Sequence, residues 1–106
     1  MKSKVKKVVN ILHKTLKETF SDFKGAYLYG SQVKNTSHKD SDIDIVVLFE
    51  TEPDRKRYSA IWDIVGPIEA EYDVFFDLHP MTYQELSFNP FYYEEVVNKG
   101  IFYDAA

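Results

Sequence analysis

The run "IVVLF", Ile45 to Phe49, narrows the fold more than any other segment. Five consecutive apolar residues, closed at once by the turn "ETEPD", read as a strand covered on both faces. Such a strand sits inside a sheet, so the chain must supply layers to pack against it. Upstream, acids occupy alternate positions: Asp40, Asp42 and Asp44. With the strand running from about Asp42 to Phe49, Asp42 and Asp44 leave the same face. At roughly 3.3 Å rise per residue their stems lie about 6.6 Å apart. At an effective dielectric near 20, two charges at that distance repel by about 2.5 kcal/mol. A divalent cation between them would reverse the sign.

The remaining pattern supplies the covering layers. Val5, Val8, Val9, Leu12, Leu16 and Phe20 form one apolar stripe, which predicts an amphipathic helix over about residues 3–21. "AYLY" reads as a short strand ending at Gly30, followed by the polar loop "SQVKNTSHKDS". Pro53 and Asp54 start a second helix with the stripe Tyr58, Ile61, Trp62 and Val65, stopped by Gly66-Pro67. "AEYDVFFDLHP" reads as a third strand. Thr82 caps a short turn, Pro90 opens a third helix closed at Gly100, and "IFY" pairs on a sheet edge. The expected order is α-β-β-α-β-α-β, an α/β (α+β) fold with a small mixed sheet flanked by helices. With 106 residues, 44% of them hydrophobic, a single domain spanning 1–106 is expected.

Composition excludes several functions. Without cysteine there is no disulfide, thiolate zinc site or cysteine nucleophile. No apolar stretch approaches the roughly 18–20 residues of a membrane span, and the lysine-rich start is unlike a signal peptide. A cytoplasmic location is the expectation. A net charge of −4, from 13 basic and 17 acidic residues, disfavours a dedicated duplex-DNA binder. A small phosphorylated ligand carried by a metal ion stays open.

"DSDID" matches the opening of a calcium-binding EF-hand loop, but Ile45 stands where that loop needs glycine and Thr51 where it needs a bidentate glutamate. The acids are therefore read as ligands for Mg²⁺ or Mn²⁺, hard ions that take oxygen donors. Gly30 lets a ligand approach the backbone, and Ser31 brings a hydroxyl. If the chain then turns helically, its first amides favour an anion. A phosphate cradle beside a metal cage is the arrangement that chemistry on a nucleoside triphosphate needs.

Gly30-Ser31, ten residues from Gln32 to Ser41, then Asp42-Ile43-Asp44 and an apolar strand resemble the signature of the DNA polymerase beta-type nucleotidyltransferase superfamily. The leading helix and the tail "NPFYYEEVVNKGIFY" resemble its minimal nucleotidyltransferases, the antitoxins of the MNT type. The resemblance implies that Gly30 and Ser31 hold the triphosphate, ATP by preference. It implies that Asp42 and Asp44 bind nucleotide and ligate two Mg²⁺ (or Mn²⁺). A third carboxylate on a neighbouring strand completes the cage. Within "YDVFFDLHP", alternation places Asp73 and Asp77 on one face and cannot choose between them. Asp77 is preferred for its apolar neighbours Phe76 and Leu78, among which an unpaired charge would cost most.

Many relatives carry a basic residue where Gln32 stands and a glycine where Asn35 stands. Asn tolerates the left-handed conformation, and Lys34 or Lys39 would then offset triphosphate charge. Asp40 reads as a solvated loop acid, and His38 as a loop residue. His13 is expected on the surface, and His79 has no second histidine at metal-ligand spacing. The family implies AMP transfer to an acceptor hydroxyl and a toxin–antitoxin role beside a small HEPN-type partner. The alternative is a subunit that neutralises such a partner by contact. The aromatic segment "FNPFYY" would meet a partner or a second copy, or else belong to the core.

Overall fold

The computed structural model describes residues 1–37 and 41–106; His38, Lys39 and Asp40 lie outside them. Helix α1, Ser3–Thr19, buries Val5, Val8, Val9, Leu12 and Leu16 of the predicted stripe, while Phe20 is its C-terminal cap and only partly buried. Strand β1 (Phe23–Tyr29) leads through a one-turn helix α2 (Ser31–Lys34) to β2 (Ile43–Phe49). Helix α3 (Arg55–Tyr72), strand β3 (Phe76–Met81) and helix α4 (Tyr83–Ser87) follow. Helix α5 (Pro90–Tyr93) runs into a π-helical turn, Glu94–Asn98, before strand β4 (Ile101–Asp104). The sheet order is β3-β2-β1-β4, with β2 and β3 parallel and the other pairs antiparallel. No helix of the described residues is long and apolar enough to cross a membrane.

Strand β2 is covered on both faces, as its apolar run requires. Ile43, Ile45, Val47 and Phe49 pack with the stripes of α1 and α3. Val46 and Leu48 pack on the other side with Leu86 and Val96. Each such side chain taken from water contributes about 1.5–3 kcal/mol, so β2 anchors both layers at once. Local signals start the later helices. Asp54 caps α3 by accepting from Arg57 N–H at 2.8 Å, Thr82 and Glu85 form a capping box, and Asn89 caps α5 ahead of Pro90.

Three expectations need correction. Helix α3 does not stop at Gly66-Pro67 but continues to Tyr72 with Pro67 inside it. A mid-helix proline costs about 3 kcal/mol, yet Gly66 and Pro67 face solvent while Val65 and Ile68 are buried on either side of them. The stripe Ile61, Val65, Ile68 carries the helix across. Tyr58 and Trp62, read as part of that stripe, are instead exposed by 38% and 46%. His13 is half-buried rather than superficial. Its Nε2 lies 2.7 Å from the Asp104 carbonyl, tying α1 to β4.

Since Ile68 holds the helix beyond its proline, Ile68→Ala is expected to cost about 2–4 kcal/mol. Chemical denaturation measures this, and a loss below about 1 kcal/mol would mean the segment after Pro67 adds little to the core.

Candidate functional site

Gly30 ends β1 at φ 77° and ψ −149°, a conformation that side chains do not tolerate. A Cβ there would also collide with a carboxylate oxygen of Asp44. The glycine therefore makes the turn and lets the acid lie against the backbone. The next residues wind into α2, with Val33 and Lys34 N–H donating to the Gly30 carbonyl at 3.2 and 3.1 Å. Asn35 closes the turn at φ 57°, left-handed as its side chain permits. The amides of Ser31 and Gln32 open this turn and have no acceptor within it.

Strand register assembles the rest. Tyr29, Asp44 and Asp77 are partners across β1, β2 and β3, so their side chains form a row on one face. Asp77 stands beside Asp44 at a strand spacing of about 4.8 Å. Asp73 is on no strand: it caps α3 at φ 53°, so alternation along β3 does not apply to it. Asp42 precedes β2 by one residue and is exposed. Its successor is pinned, because Ile43 N–H donates to the Phe75 carbonyl at 2.8 Å.

The electrostatics follow from this packing. Burial, then the charge of Asp77 and contact with its carboxyl, then the charge of Asp42, push the Asp44 carboxyl above its usual range, and His79 opposes them. His79 Nε2 lies 3.0 Å from Asp77 Oδ1. Tyr29 hydroxyl meets Tyr92 hydroxyl at 3.1 Å. Burial first, then this hydrogen bond and the nearby acids, hold Tyr29 far above the usual tyrosine range. Burial is also the largest cause of the rise at Tyr92. Both phenols stay protonated at neutral pH and present O–H groups at the edge of the acid row.

An all-oxygen donor set with crowded negative charge and a cleared backbone fits a hard divalent cation. Among the described residues no three acidic or histidine side chains are already gathered around one point. Asp42 is exposed and stands one residue outside β2, so it is not gathered with Asp44 and Asp77. Lys34, expected to face a triphosphate, is paired with Glu95 at 2.8 Å, and Glu95 also binds Lys99 at 3.1 Å.

Sequence reasoning missed Tyr29, Tyr92 and the pairing of His79, and treated Gln32 only as a missing cation. Tyr29 directly precedes the glycine, but its place in the row depends on a register that no local pattern encodes. Tyr92 arrives from 63 residues away.

A glycine turn set against acids on two adjoining strands, over a mixed sheet backed by helices, defines a small nucleotidyltransferase-type domain. The chain belongs to the polymerase beta nucleotidyltransferase family, whose model matches residues 7–101. Among solved structures it is similar to a chain of a toxin–antitoxin complex crystallised with AMP-PNP. The two are 27% identical with a TM-score of 0.65, over 88% of this chain and 69% of that one. A chain of a mutant MntA–HpeT toxin–antitoxin complex is 28% identical with a TM-score of 0.63, over 89% and 69%. A chain of the complex between a tri-AMPylated Shewanella oneidensis HEPN toxin and an MNT antitoxin shares the fold at 23% identity and a TM-score of 0.60, over 92% and 69%. These neighbours are of the minimal nucleotidyltransferase type expected from the sequence. No curated protein matches the chain in sequence.

Asp44 is destabilising when charged, so Asp44→Asn is expected to raise the Tm of the metal-free protein at pH 7. Its folded-state pKa is raised, so the penalty is absent below the unfolded value of about 3.9 and complete above the raised one. The two melting temperatures should converge as pH falls from 7 to 4. A difference that stays constant over that range would contradict the assigned penalty of burial and repulsion.

Proposed function

We propose that this chain transfers a nucleoside monophosphate, AMP from ATP, to an acceptor hydroxyl. Asp42, Asp44 and Asp77 would hold two Mg²⁺ or Mn²⁺, and Gly30 and Ser31 the triphosphate. The observation that carries this reading is the in-register pair Asp44–Asp77 beside the Gly30 turn. Acids so placed are costly to the fold alone and useful to a cation-bound triphosphate.

When bound, the metal ions supply charge neutralisation for the triphosphate and lower the pKa of the acceptor hydroxyl. The chain's own residues orient the reactants. The Ser31 and Gln32 amides and the Ser31 hydroxyl hold phosphate oxygens. The acceptor oxygen forms a bond to the α-phosphorus, the bond from that phosphorus to the β-phosphate bridge breaks, and pyrophosphate leaves. Asp77, on the edge strand, takes up the acceptor's proton. No side chain of the enzyme becomes covalently attached, so positioning and electrostatics do the work.

The acceptor is proposed to lie on a HEPN-type partner protein, with this chain as the antitoxin of the pair in the cytoplasm. Support comes from the likeness to toxin–antitoxin chains at 27% and 28% identity, one of them crystallised with AMP-PNP. A second reading, neutralisation by contact with a partner or a second copy, is favoured by Phe88 and Phe91. These are 78% and 86% exposed beside the site-facing Tyr92.

Incubation with labelled ATP and Mg²⁺, with and without the protein encoded beside this one, tests both. Label should appear on the partner and fall at least about 100-fold with Asp42→Asn or Asp44→Asn, the scale of losing one group that stabilises charge in the transition state. Unchanged neutralisation of the partner by both variants, with no labelling by the unaltered chain, would leave contact alone.

A further inference from the structure

Gln32 is the one buried polar residue of the described core, 3% exposed. It sits in the first turn after Gly30-Ser31, and its side-chain amide reaches across to the backbone just before β2. Its Nε2 is shared between the carbonyls of Ser41 and Asp42, at 3.4 Å to each. The opposite amide orientation would set Oε1 against two carbonyl oxygens, so the donor assignment is fixed by its surroundings. Oε1 is then left buried with no hydrogen-bond partner. An orphaned buried acceptor carries its desolvation penalty uncompensated, and one kept in a native fold calls for a reason.

Asp42 supplies the reason. It lies outside β2, whose ladder begins at Ile43, so the sheet does not hold its backbone on the N-terminal side. Among the described residues it is flanked by the Ile43 N–H on the Phe75 carbonyl and by the Gln32 amide on the carbonyls of Ser41 and Asp42. The first ties the acid to β3 and Asp77. The second ties it to the turn that Gly30 begins.

We infer that Gln32 is a positioning residue that locks the backbone of Asp42 to the Gly30-Ser31 turn, so that one side-chain rotation of Asp42 completes a divalent-cation site with Asp44 and Asp77. This deepens the function proposed above and rests on Asp42 being a metal ligand. Neutral glutamine suits the task better than a basic residue, because its amide donates without placing a buried positive charge beside the cation. The trade is stability for preorganisation: a donor in the right place, with an acceptor left over.

The test separates stability from metal binding. Gln32→Met keeps length and volume, removes the donor, and removes the orphan; the two carbonyls it releases belong to a half-buried and an exposed residue and can turn to water. Tm should hold or rise, while Mn²⁺ binding, followed without nucleotide by the electron paramagnetic resonance of the free ion, should weaken about tenfold or more, as loss of a group supporting a metal ligand does. Gln32→Leu should behave alike. Unchanged Mn²⁺ affinity in a folded variant overturns the inference and leaves the proposed function standing. Collapse of the fold in both variants makes the amide a structural group and overturns it as well. If the unaltered chain binds no Mn²⁺, and Asp44→Asn differs from it in nothing, the metal reading itself fails.

Discussion

Two carboxylates face each other across a pair of parallel strands, and the rest of this structure is organised around that fact. Asp44 and Asp77 share a register position in β2 and β3, and the sheet offers them no way apart. A one-residue slip would relieve the repulsion, but it would turn Ile43, Ile45, Val47 and Phe49 away from α1 and α3. The apolar register is worth far more than the repulsion. Burial of β2 on both faces therefore forces the acids together.

The turn at Gly30 works with the same constraint from the other side. Because β1 pairs antiparallel with β2, its last residue Tyr29 falls opposite Asp44, and the chain must leave the sheet immediately beside a carboxylate. Only a residue without a Cβ fits there. The Gly-Ser dipeptide and the Asp-x-Asp pair, ten residues apart in sequence, are thus one object in space. Each is placed by the pairing of the strands that carry them, with Gln32 bridging the loop between.

This explains what could be read from the sequence. Helix α1 was legible because its stripe is long and regular, and β2 because a five-residue apolar run beside a turn has few other uses. The motif was legible because its spacing is local. What escaped depended on distant packing. Pro67 looked like an end because local propensity disfavours it, whereas Ile68 and the core overrule that preference. That same misreading put Asp73 on a strand. The place of Asp73 at the helix cap follows once α3 is allowed its last six residues. The partners Tyr92 and His79 were invisible because a register and a long return of the chain bring them to the acids.

Strand β2 also shows where the fold gives way to the site. On one face all four of its residues are core. On the other, Asp44 is followed by Val46 and Leu48, so the boundary between a charged and an apolar environment falls within two residues. Tyr29 and Tyr92 stand on that boundary. Their rings pack with the Val46–Leu48 cluster, while their hydroxyls meet each other and feel the charges of Asp44 and Asp77. Phenylalanine would serve the apolar side equally well and give the polar side nothing. A phenol whose ionisation is suppressed by burial first, and then by nearby acids, remains a donor, so the seam can border negative charge without adding to it. The tyrosines let one sheet face be hydrophobic core at one end and an acidic site at the other.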